Sequence, residues 1–212
     1  MNAHIEIMPV PVPVLPFRLS LKFASLMCIM TLTLLMGYVF YRYSKRKWQQ
    51  PHILNLTIHT MASGLLFAVY GISMTVVKGL IFIFLLLYAA NSDIKTREIS
   101  NWIPFAITIT GLIEKELKDI PFMVLSAVII TLPQLYWAIS KESSYGGADI
   151  KLMAACAFLL GLEGGLIAII IGLSIGLLTT VIKRKLKNES LKEKFPVLPY
   201  LAFGSFLSFL LI

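Results

Sequence analysis

Asp93 and Asp149 are the residues of this sequence best placed to do chemistry. Each stands at the edge of a long apolar run, and the second closes the string Gly146-Gly147-Ala148-Asp149. Ionisable groups at the edge of lipid are costly, so a carboxylate kept there calls for a function. Two carboxylates brought together from separate segments can hydrolyse a peptide bond. Repulsion between them keeps one protonated while the other is ionised. The ionised group takes a proton from water while the protonated one polarises the scissile carbonyl. Such a pair titrates as a unit, so the two roles are not divided between named residues. Gly146 and Gly147 suit the same task, because glycine permits a left-handed backbone and lets another chain approach closely. They are the candidate substrate-binding residues, seating an extended strand beside the carboxylates. Read singly, each aspartate has a plainer role, Asp93 as a loop residue or cap and Asp149 as the cap of a following helix.

The elements that must position these groups are membrane helices. Of the 212 residues, 58% are hydrophobic and only 14% charged, with a mean hydropathy of +0.82. A soluble domain of this length carries more charge and fewer apolar blocks. The expected fold is therefore all-α and polytopic. About 20 apolar residues cross the hydrocarbon core, and eight runs suggest themselves: Leu21 to Tyr41, Ile53 to Ile72, Val76 to Ala90, Trp102 to Ile113, Pro121 to Ile139, Ile150 to Leu162, Gly164 to Ile182 and Pro199 to Ile212. The fourth and sixth are short for a full crossing. Short helices beside polar groups imply a thinned bilayer or a wet cavity, through which water could reach a buried site. Three parts are expected: a proline-rich arm over 1–19, two N-terminal helices over 20–75, and a membrane core over 76–212.

The net charge of +8 matters less than where the charge lies. Fourteen of the 19 Lys and Arg residues fall in alternate loops on one side of this arrangement, and five on the other. Positive-inside sorting puts the richer side in the cytoplasm and the N-terminus outside. Asp93, at the start of one cytoplasmic loop, and Asp149, at the end of another, then share a side and a depth. No basic stretch carries interleaved aromatics on a soluble platform, so nucleic acid is not an expected partner. Membrane lipid is. Cys28 and Cys156 lie inside apolar runs without metal-ligand spacing, and His4, His52 and His59 are dispersed. Neither a metal site nor an organic cofactor is expected.

Three segments resemble the prepilin peptidases (type IV leader peptidases), within the GxGD class of aspartyl membrane proteases. The stretch from Asp93 to Asn101 is similar to their first motif, an aspartate followed some residues later by Ile-Pro-Asn. Gly146-Gly147-Ala148-Asp149-Ile150-Lys151-Leu152 resembles Gly-x-Gly-Asp-x-Lys-Leu. Pro196 to Gly204 resembles the Pro-x-x-Pro-Phe-Leu-x-x-Gly stretch that opens their last span. The resemblance runs from about Leu80 to Leu210. Ser100 stands where proline is usual before Asn101, and Ala148 where many members have glycine, changes that bear on substrate preference more than on catalysis.

The resemblance implies that Asp93 and Asp149 form the catalytic dyad. It also implies that short basic leaders are cut from prepilin or pseudopilin precursors at the cytoplasmic face of a prokaryotic cell membrane. Longer members carry Cys-x-x-Cys pairs linked to methylation of the mature pilin. This chain has none, and peptidase activity without methyl transfer is expected. Two other readings are open: an inactive assembly factor of a pilus or secretion system, and a transporter using the carboxylates for a cation or proton. Beside the dyad, Lys151 either tunes it or serves topology, Asn101 either bonds near Asp93 or caps the fourth span, and Glu163 reads as a loop residue on the outer side. Gly161, Gly164, Gly165, Gly172 and Gly176 fit close helix packing.

Overall fold

The computed structural model describes residues 53–140, 146–187 and 196–212, with scattered helical residues between 27 and 42. The arm over 1–19 and most of the first expected span lie outside the described residues. From residue 53 onward the described residues form six α-helices and a short 3-10 turn, in order: α1 Ile53–Tyr70, α2 Met74–Thr96, α3 Trp102–Gly111, the turn Leu117–Asp119, α4 Ile120–Ser140, α5 Gly147–Lys187 and α6 Leu198–Leu211. Among the described residues, three stretches are long and apolar enough to cross a membrane, namely Met74–Thr96, Leu117–Ser140 and Gly147–Ile182. Thr57–Tyr70, Trp102–Gly111 and Leu198–Leu211 are shorter apolar helices. Many large apolar side chains face outward, among them Phe105, Phe122, Ile139 and Leu178, the outward face of a protein solvated by lipid.

The longest helix contains two of the expected spans. At Gly161 the backbone leaves helical geometry, with φ 77° and ψ −176°, a region open essentially to glycine alone. The turn is sharp. A Cβ built on Gly165 would come within 3.1 Å of Ala157, although residues eight apart in an unbroken helix stand about 12 Å apart. Gly161 is thus a chain reversal between two limbs, 147–160 and 162–187, rather than a packing residue. Glu163 belongs to the second limb's first turn and is exposed. A Cβ on Gly161 would meet nothing within 4 Å, so Gly161→Ala tests the backbone alone. It should cost about 1–3 kcal/mol, read as a lower unfolding temperature in detergent; an unchanged midpoint would contradict the reversal.

α6 runs back along the second limb. Tyr200 lies beside Gly176, Leu201 beside Gly172, and the Ser208 hydroxyl donates to the Gly164 carbonyl at 2.7 Å. Pro199 in the first turn starts this helix, where a missing N–H costs nothing and the fixed φ is helical. A Cβ on Gly204 would sit 2.7 Å from the Gly172 nitrogen and collide with the Ala168 carbonyl oxygen. The two helices therefore meet backbone to backbone. The buried core joins Leu80, Phe82 and Leu86 of α2, Ile103 and Ile107 of α3, Leu152, Met153 and Cys156 of α5, and Leu198 and Leu201 of α6.

Two ends of the bundle can be told apart by their contacts. At one end, Asn55 and Asn91 exchange amide hydrogen bonds of 3.2 Å in both directions, and Trp102 packs on Tyr88 with ring centroids 5.2 Å apart. At the other, the Tyr70 hydroxyl donates to the Phe209 carbonyl and Lys78 donates to the Ile113 carbonyl at 3.2 Å. Both aspartates belong to the first end.

Candidate active site

Asp93 does not begin a loop. It lies in the last turn of α2, and α2 continues to Thr96 before Arg97 takes the left-handed conformation at φ 57° and donates its N–H back to the Asp93 carbonyl. The reason is local. Asn91 donates to the Leu87 carbonyl at 2.7 Å, and the Ser92 hydroxyl donates to the Glu98 carbonyl at 2.8 Å. Polar groups that suggested a loop are thus satisfied within a helix end and its return. Thr96 adds bonds to the Ser92 carbonyl at 2.9 Å and to the Glu98 carbonyl at 3.1 Å. The chain turns back tightly to Ser100 and Asn101, which open α3.

Asp149 lies in the first turn of α5 rather than at the end of a loop. Its N–H donates to the Gly146 carbonyl at 3.0 Å, and its carboxylate accepts the Gly146 N–H. Asp149 is therefore the third residue of the helix, reaching back to the residue before it, and not the cap itself, and its carboxylate does not end in solvent. Asp149 is 8% exposed and Asp93 7%. The two are electrostatic neighbours, each carboxylate arriving from its own helix: Asp93 is the charged group whose field acts on Asp149. Two buried carboxylates within each other's field cannot both be ionised cheaply.

Each carboxylate has a main-chain partner. Asp93 accepts the N–H of Leu198, the first residue of α6, and lies in the field of Arg97. Its Oδ2 is buried with no hydrogen-bond partner. A buried carboxylate oxygen without a donor is expensive when ionised. Leu198 could not have been picked from its side chain, because the contact is made by its backbone. The only sequence signal was that it lies inside the third motif.

Gly146 and Gly147 are both exposed beside the buried Asp149. A Cβ on Gly146 would stand 3.0 Å from Asp149 Oδ2, whereas one on Gly147 would meet nothing within 4 Å. Gly147 is already helical, so its contribution is an absent side chain and not a left-handed backbone. Together they leave the approach to Asp149 bare. Lys151 does not reach either aspartate; its ammonium donates to Asn101 Oδ1 at 3.0 Å. Asn101 occupies the cap position of α3 but makes no cap bond through its side chain, so the capping role expected for it is not the one it has. Cys156 is fully buried, as its apolar surroundings suggested. Cys28 lies outside the described residues.

These features define a class: an all-helical membrane protein with two buried aspartates at one end of its bundle, one of them preceded by a glycine pair. Comparison with known families narrows it. Residues 80–181 match the type IV leader peptidase family, a stretch that holds both aspartates and stops short of the third motif. The family consists of peptidases, generally of the aspartic type. No curated protein and no solved structure matches the chain.

Proposed function

We propose that this protein is a membrane aspartyl endopeptidase that removes short basic leaders from prepilin or pseudopilin precursors, with Asp93 and Asp149 as its catalytic dyad. The observation that carries the reading is the pair of buried carboxylates, held by separate helices and open to approach over Gly146 and Gly147. In the reaction, the ionised carboxylate takes a proton from water as the oxygen attacks the scissile carbonyl. The protonated carboxylate donates to the carbonyl oxygen, giving a neutral gem-diol. When the carbon–nitrogen bond breaks, the departing nitrogen takes up one proton and the dyad recovers the other, so no net proton is consumed. The glycine pair offers main-chain groups to a substrate strand at the point where a side chain would block it.

The site would face the cytoplasm. Lys95, Arg97, Lys151 and the basic end of α5 lie at the dyad end, while Lys115 and Lys118 at the other end are accompanied by Glu114, Glu116 and Asp119; Lys118 is paired with Glu116 at 2.7 Å. This polarity follows the positive-inside rule and fits eight spans with the N-terminus outside a prokaryotic cell membrane. A precursor whose basic leader adjoins an apolar helix would present its junction at that boundary without unwinding the helix. A single cysteine introduced at Ser144 should be labelled by a membrane-impermeant reagent only after the cytoplasmic face is opened. Labelling from outside in intact cells would overturn the orientation.

The activity is tested by co-expression with a precursor carrying a basic leader. Wild-type protein should shorten it, and Asp93→Asn and Asp149→Asn should leave it full length. A precursor left intact by the wild type would favour the inactive-factor or transporter reading. The position of the carboxylates at one end of the bundle speaks against a transporter, which usually binds its ion near the midplane.

A further inference from the structure

We infer that Lys151 and Asn101 form a positioning clamp that holds the two aspartates at working separation. This rests on the dyad reading above. Lys151 stands two residues after Asp149 and Asn101 eight residues after Asp93. Their side chains meet at 3.0 Å, across 50 residues of sequence. The bond closes a ring of structure: the end of α2 carrying Asp93, the tight return through Arg97 to Ser100, Asn101 at the start of α3, and the first turn of α5 carrying Asp149.

The bond is exposed, and three observations set it apart from an incidental contact. Asn101 gives up an ordinary cap bond to make it. Its φ and ψ of −60° and −20° are helical, and its side chain reaches no backbone N–H of α3, although a capping Asn stabilises a helix by about 1 kcal/mol. The return segment that delivers Asn101 is itself fixed by the Ser92 and Thr96 bonds to the Glu98 carbonyl, so the clamp has a firm anchor on the Asp93 side. On the Asp149 side, the first turn of α5 adjoins Gly146 and Gly147, which contribute no side-chain packing. Leu152 and Met153 anchor the turn that follows, and the tether fixes the end that carries Asp149. Positive-inside sorting accounts for a lysine in this region, but not for its pairing with a neutral amide that points across from another helix. Lys151 touches neither aspartate and is a positioning residue.

The test uses the full-length protein in detergent or liposomes with variants Lys151→Met, Asn101→Ala, Lys151→Arg and the double variant Lys151→Met/Asn101→Ala. Two readouts are taken: kcat and KM on a basic-leader precursor, and hydrogen–deuterium exchange over residues 98–103 and 146–152. Each disabling single variant should lower kcat by roughly 10- to 30-fold with KM little changed, because misplacement of reacting groups by a fraction of an ångström has effects of this order. The double variant should be no worse than the more affected single one, since both remove one shared bond. Lys151→Arg, which can still donate to Asn101, should keep most of the rate. Exchange should accelerate in both segments in the disabling variants alone. Unchanged exchange, effects that multiply in the double variant, or a change confined to KM would each overturn the clamp. The exchange readout needs no turnover. Wild-type protein that cleaves nothing would count against the peptidase reading, while coupled acceleration of the two segments would still support the clamp.

Discussion

Asp93→Asn and Asp149→Asn should each lower precursor cleavage by at least about 10³-fold while leaving the protein folded. General acid–base catalysis by a positioned group is worth some 10²–10⁴-fold, and here a single substitution removes both of its halves. A carboxamide can neither take the proton of the attacking water nor share one with the remaining carboxylate. The shape of the side chain is nearly kept, so the Leu198 N–H at Asp93 and the Gly146 N–H at Asp149 still have an oxygen to meet. Burial sharpens the contrast. With exposures of 7% and 8%, an ionised pair is under strain, and a neutral amide relieves it. Unfolding temperatures in detergent should therefore stay level or rise as activity falls. Partial activity in either variant would remove that residue from the dyad, and a large drop in stability would mean that the loss of cleavage reports folding.

Gly204→Leu should be the most damaging substitution away from the carboxylates. A Cβ at this position already stands 2.7 Å from the Gly172 nitrogen and 3.0 Å from its Cα. Those obstacles are main chain and cannot rotate aside. α6 would have to move away from the second limb of α5, opening the Ser208–Gly164 bond and the packing of Leu201 on Gly172. Overpacking of a tight interior costs about 3 kcal/mol at the upper end of the ordinary range. The loss would reach the site as well, because the first residue of α6 supplies the N–H that holds Asp93. Cleavage should fall by roughly 100-fold even in the fraction that folds. Gly64→Ala is the control: a Cβ there meets nothing within 4 Å, and both stability and cleavage should be retained. Normal thermal stability in Gly204→Leu would refute the backbone contact.

How much of this was legible in the sequence depended on which physical signal each feature leaves. The apolar runs announced α2, α4 and α6 because lipid-facing helices are apolar nearly all round, and Pro121 and Pro199 marked where two of them start. The end of α2 was placed too early. Asn91, Ser92 and Asp93 look like a loop by polarity, and only the fold reveals that Asn55, the Leu87 carbonyl and the Glu98 carbonyl satisfy the first two inside a helix. The break near Glu163 was foreseen from the lone charge between two apolar runs. That Gly161 makes it was not, since glycine is equally at home in a helix and in a turn. Among the glycines read as packing residues, Gly172 holds that role against α6, while the companion surface is Gly204, which entered only through the third motif. Both aspartates stood out because charge is costly beside lipid. Their partners did not: the Leu198 contact is main chain, and the Lys151–Asn101 bond joins two residues each of which has an ordinary explanation alone.

The most direct test of the central claim is the intact mass of a purified precursor after incubation with the purified protein in liposomes, wild type against Asp93→Asn and Asp149→Asn. The account predicts a single new species, lighter by the basic leader, with wild type only. Full-length precursor with wild type, or the same shortened species with either variant, would contradict it.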